Sequence, residues 1–148
     1  MPKLHDPAYR SAIQTRIRQL RADSQRRWGR MSVGQMLWHV NEAMEAALGR
    51  VTIPPVKPPF HLPKPVLKFV VINLPWPKGA WTLPKWVPRK DYDFAAERDR
   101  CLRLIDDLAT KTIDDQWPLS PTLGRMSGTD VTRLHAKHLD HHLKQFGV

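Results

Sequence analysis

The chain has 148 residues, with 24 Lys and Arg against 14 Asp and Glu, a formal charge of +10 with the histidines neutral. That length suits one domain, 1–148, with a single core, and no run of roughly 18 apolar residues offers a membrane-spanning helix. One cysteine permits no internal disulfide, and the start MPKLHDPAYR lacks the apolar core of a signal peptide, so a cytoplasmic location is expected.

Asp6-Pro7 reads as the N-cap and first residue of a helix over about 6–23. Tyr9, Ile13, Ile17 and Leu20 form its apolar stripe. The following stretch, Ser24–Met31, is a basic connector in which Trp28 is expected to pack on the end of the helices. Ser32 and Gln35 make a capping box, and Gly49 a stop, for a second helix over 32–48. On its apolar face His39 is flanked by the small residues Ala43 and Ala46, while Glu42 sits one turn on, near the polar edge.

Residues 51–90 form a Pro-rich insert. Ten of the 14 prolines lie between Pro54 and Pro88, with Trp76, Trp81 and Trp86 among them. Proline at this density excludes long helices and central strands. Only Val66–Leu74 has the pattern for a couple of helical turns or a short extended segment. An ordered wrap over one end of the helices is expected; a Pro/aromatic docking motif is the alternative. A third helix follows over 92–109, capped by Asp91 or Asp93. Phe94, Cys101, Leu102, Ile105, Leu108 and Ala109 form its apolar face, which makes Cys101 an inert buried thiol. A turn-rich connector, Lys111–Arg125, leads to the last helix.

That helix, 127–146, starts at Ser127 with Asp130 in the Glu/Gln place of a capping box, and stops at Gly147. It carries His135, His138, His141 and His142. Val131, Leu134, His135 and His142 all fall within about 60° of His138 around the helix axis, so three histidines share the apolar face. His141 sits at the edge of that face, with Lys137 and Lys144 on the far side. Two imidazoles four residues apart can reach one point and are a recurrent half of a metal site. His138 with His142 has this spacing. His135 with His138 is a rival pair, whereas His135 and His142 are separated by about 10.5 Å of helical rise.

A histidine in the second helix, followed by H-x-x-x-H and a Gln in the fourth, resembles the DinB-like (YfiT-like) metalloprotein superfamily. The blocks Arg27–Gly49 and Ser120–Gly147 resemble one of its uncharacterised branches. The resemblance implies an all-α, four-helix bundle, here with a long Pro-rich crossover between helices 2 and 3. It implies a divalent metal held by His39, His138 and His142; imidazole ligands put Zn or Ni ahead of Fe or Mn. His135 and His141 match no ligand of the family.

Three imidazoles with an open fourth position are a catalytic type of site. Glu42 is the candidate acid/base group, with a solvated helix-edge carboxylate as its plain reading. Gln145 is a candidate to line the pocket or cap the helix end. The resemblance further implies a small-molecule enzyme, a thiol-dependent S-transferase as the specific reaction with a low-molecular-weight thiol as cosubstrate, and a homodimer. The competing class is a basic nucleic-acid-binding bundle with a structural or vestigial metal. Its basic residues are spread along the chain without a run of five like charges, and no nucleic-acid-binding motif is present.

Overall fold

The structure, a computed structural model, describes all residues 1–148. It is all-helical: α1 (Pro7–Gln19), α2 (Val33–Ala47), α3 (Lys64–Asn73), α4 (Phe94–Thr110) and α5 (Gly128–Gln145), with a 3-10 turn at Pro84–Trp86 and no strand. The expected starts hold. Asp6 accepts from the amides of Ala8 and Tyr9, Asp93 rather than Asp91 caps α4, and Ser32 and Gln35 cap α2 reciprocally. At α5 only half a box forms, with Ser127 accepting from the Asp130 amide at 3.1 Å. An Asp side chain is one methylene short for the return bond a Glu or Gln makes. Gly49 and Gly147 end their helices at φ +75° and +79°, where a side chain would be strained.

Two expectations need correction. The first helix ends at Gln19, not 23, because Leu20 turns extended (ψ 146°) while its side chain stays buried. Burial of one leucine outweighs another helical turn whose remaining residues are polar or small. The second correction is a fifth helix: Val66–Leu74 lies largely within α3. Pro63 and Pro65 stand at the start of α3, where a missing N–H does no harm.

The core joins Leu4, Ile13, Ile17, Met36, Leu37, Met44, Leu104, Ile105, Leu139 and Leu143, among others. Polar contacts fix the directions of the helices. The Nδ2 of Asn41 donates to Glu97, Arg100 pairs with Glu42 and Glu45, and Arg50 with Asp107, so α2 and α4 run the same way. His5, just before α1, meets Thr132, and on α1 the Tyr9 hydroxyl donates to the Ala136 carbonyl and Arg16 meets Asp140, so α1 and α5 also run the same way. A chain that leaves the end of α2 and enters α4 in the same direction must travel back along the molecule. Residues 48–93 make that return.

The return path is pinned. Lys137, expected on the solvated far side of α5, instead donates to the carbonyls of Val71 (2.7 Å), Ile72 (3.3 Å) and Leu74 at the end of α3. A cation there satisfies carbonyls that the helix leaves open and meets the negative end of its dipole. Trp76 Nε1 donates to the Val71 carbonyl, and the Val56 amide donates to Pro121. The insert therefore lies against α5 and the α4–α5 connector.

Gly128 opens α5 beneath that connector. A Cβ there would lie 1.9 Å from the Ile113 carbonyl oxygen and 2.5 Å from Trp117 Nε1. Overpacking against backbone cannot relax by a rotamer change, so Gly128→Ala is expected to destabilise by about 3 kcal/mol. A denaturant midpoint unchanged from wild type would show that the connector yields. Cys101 is buried, and burial pushes its thiol up to about 12, which leaves it unreactive at neutral pH.

Candidate metal centre

Three histidines from two helices meet. The ring centroids of His39, His138 and His142 are 4.9 Å apart in all three pairs, and one nitrogen from each ring lies within 4.8 Å of the other two. His138 and His142 converge because four residues bring them to adjacent turns of α5. His39 reaches them because Ala43 and Ala46, on its own face of α2, leave room for the ring.

Hydrogen bonds select the tautomers. His39 Nδ1 donates to the Trp86 carbonyl at 2.9 Å, since a carbonyl can only accept. His142 Nδ1 donates to Gln145 Oε1 at 2.8 Å, and Gln145 Nε2 donates to the Trp28 carbonyl at 3.0 Å, which sets the amide orientation. With Nδ1 protonated, each ring presents its Nε2 lone pair. His39 Nε2 and His138 Nε2 are 2.9 Å apart. Nitrogens on one zinc-sized ion, each about 2.0–2.1 Å from it, can span up to ~4.2 Å, so this pair fits.

Burial keeps the cluster uncharged. It is the main cause that lowers His39, and it takes His142 down to about 3, with His39 adding to the effect and the Gln145 bond opposing it. His138 lies well below the usual imidazole range through burial first, then the neighbouring histidines. Neutral imidazoles whose nitrogens converge are the donor set a divalent cation needs, the ion taking the place of the proton that His138 Nε2 donates to His39 Nε2.

The other expected residues are placed as follows. Gln145 is buried, bonded to His142 and tied to Trp28, whose indole stands edge-on to His141 at 5.7 Å. Glu42 is turned away: its carboxylate holds the Arg100 guanidinium at 2.7 Å in the α2–α4 interface, with Glu97 and Glu45 on the same arginine. It does not line the cavity beside the histidines, so the geometry gives it no acid/base place there. His135 and His141 line that cavity but lie outside the three-nitrogen cluster. Burial pushes His135 down to about 4. His5 is a lock between elements, with Nε2 donating to the Lys111 carbonyl and Nδ1 accepting from Thr132 Oγ1.

Two supports of the site carry no mark in the sequence: the carbonyls of Trp86 and Trp28. The clustered tryptophans of the insert were the nearest signal. Trp76 does reach the site, 5.6 Å from His138 and 5.5 Å from His141 between ring centroids.

Fold and site together define an all-helical protein with a three-histidine cluster of metal-binding spacing in the wall of a cavity. The model of the family described as "Protein of unknown function (DUF1569)" matches residues 3–147, and the chain belongs to that family. No curated protein and no solved structure matches it.

Proposed function

We propose that the chain is a divalent-metal-dependent enzyme for a small molecule, built on the four-helix bundle of the DinB-like (YfiT-like) superfamily. One observation carries this reading. Three neutral imidazoles converge, two of them with Nδ1 held by fixed acceptors, and all three line a cavity large enough for a substrate. A closed structural site would show a fourth protein ligand. His39, His138 and His142 would hold the ion, Zn or Ni ahead of Fe or Mn. Bound there, it would supply Lewis acidity and favour a deprotonated water or thiol.

Proton handling falls to few groups. The only titratable side chains in the cavity wall are histidines, and His135 and His141 remain after the three ligands. His141 is the less buried of the two and stands next to His142, 5.1 Å between ring centroids. In the thiol-dependent S-transfer we favour, His141 accepts the proton of the thiol as sulfur attacks the electrophilic carbon. The displaced group leaves with the bonding electron pair.

Gln145 positions His142, so Gln145→Ala is expected to weaken metal affinity about 10–100-fold while helical content stays. Competition titration with a chromogenic chelator reads this directly; unchanged affinity would remove Gln145 from the site. The reading as a whole is tested by elemental analysis of tag-free protein and a screen of thiol cosubstrates. Less than a tenth of an equivalent of metal, with none taken up on dialysis, would end it.

A cytoplasmic setting agrees with the single buried thiol. We also propose a homodimer, supported by Val66 and Phe69 on the outer face of α3, 46% and 60% exposed. Light scattering should give twice 17.2 kDa. The charge of +10 favours a second reading, nucleic-acid binding. It requires DNA affinity that survives about 150 mM salt, where charge alone is strongly weakened.

A further inference from the structure

The cavity against the three histidines measures about 740 Å³, within the usual range for small-molecule sites. Although the chain carries 24 Lys and Arg and 14 Asp and Glu, not one of them lines this space. The wall is Ala46 of α2, Val70 and Val71 of α3, and Trp76, Trp81 and Trp86 of the insert, with similar apolar neighbours. Its polar side chains are uncharged: Thr52, Thr82, Ser120, Thr122 and five histidines. With no ion on the histidines, an ionised ligand entering here would shed its hydration and find no counter-charge among the side chains of the wall, a large penalty.

His135 adds a second observation. It is 6% exposed, lines the cavity, and makes no hydrogen bond to the protein. Its ring nitrogens are open to the cavity space, where a polar group of a ligand can pair with them.

We propose that the cavity binds an uncharged, largely apolar small molecule whose one hydrogen-bonding group engages His135. Its reactive end lies at His39, His138 and His142. Only that last placement rests on the metalloenzyme reading above; the selection for an apolar, neutral body comes from the wall itself and holds without the ion.

The test therefore uses the full chain after chelation. N-phenyl-1-naphthylamine, an uncharged apolar fluorophore, should bind at one per chain with energy transfer from the wall tryptophans. Octanamide should displace it at least tenfold more effectively than either octanoate or octylammonium at pH 7.5. Equal or better competition by octanoate would overturn the proposal, because the basic exterior would then be the attraction. Absence of saturable binding would overturn it as well.

Ala46→Trp, which fills the space, or Val51→Asp at its partly exposed edge should weaken the fluorophore at least tenfold; no change in both variants would refute the location. His135→Phe should keep the fluorophore yet cost octanamide about tenfold, and unchanged octanamide affinity would remove His135. Metal content is measured separately on untreated protein. A metal-free protein that still selects octanamide would end the enzyme reading and leave this one standing.

Discussion

Replacing His39, His138 or His142 by alanine is expected to strip stoichiometric metal from the purified protein, while His135→Ala and His141→Ala keep it. The three rings form a triangle with 4.9 Å between centroids, and neither other histidine of α5 joins the cluster. If roughly 10 kcal/mol of binding free energy is shared among the ligands, one imidazole contributes about 3 kcal/mol, or a hundredfold in affinity. Elemental analysis after gel filtration reads this loss. Thermal melts give a second measure: chelation should lower the midpoint of the wild type but not of the three ligand variants. A protein that loses metal on His135→Ala and retains it on His142→Ala would move the site one turn toward the start of α5.

Chelated protein is expected to lose stability steeply as the pH falls below about 6.5. In the folded chain, burial holds His135 down to about 4 and His142 down to about 3, and lowers His39 and His138 as well. In the unfolded chain each titrates near 6.5. Between these values the unfolded state takes up protons that the folded state refuses, so the stabilisation is fully present above 6.5. It is lost progressively as the pH approaches 4 and then 3. His135 and His142 each remove about 1.4 kcal/mol per pH unit between 6.5 and their folded values, His135 alone about 3 kcal/mol by pH 4, and His39 and His138 add in the same direction. Urea midpoints at pH 7.5, 6.5, 5.5 and 4.5 should trace the decline, with a shallower slope in His135→Leu. A profile flat down to pH 5 would mean that the cluster is hydrated or already protonated. Bound metal should hold stability to lower pH, because it competes with protons for the same lone pairs.

Which parts of this were legible in the sequence follows the range of the interactions. Helix starts and stops were readable because a cap and its partner lie three residues apart: Ser32 with Gln35, Asp93 with Ala96, Ser127 with Asp130. The grouping of His138 with His142 was readable for the same reason, since a single turn of helix relates them. Helix geometry picked out His39 only as an inward-facing histidine on another helix, and it was the family resemblance that joined it to the pair. Its distance from the pair was a matter for packing.

What the sequence by itself determined was thus the helical segments and a short list of candidate ligands. Tertiary structure decided the rest. Glu42, at the polar edge of its helix, could be read as an acid/base candidate or as a solvated carboxylate, and Arg100, 58 positions away, holds it in neither place. Lys137 looked solvated until the end of α3 arrived above it to offer three carbonyls. The acceptors that orient His39 and Gln145 are backbone carbonyls of Trp86 and Trp28, and every residue has a carbonyl, so no residue type marks them. The uncharged wall of the cavity comes from five stretches of chain brought together. Its neutrality belongs to their assembly, because a charge anywhere in those stretches can point outward until packing decides which side chains face the space.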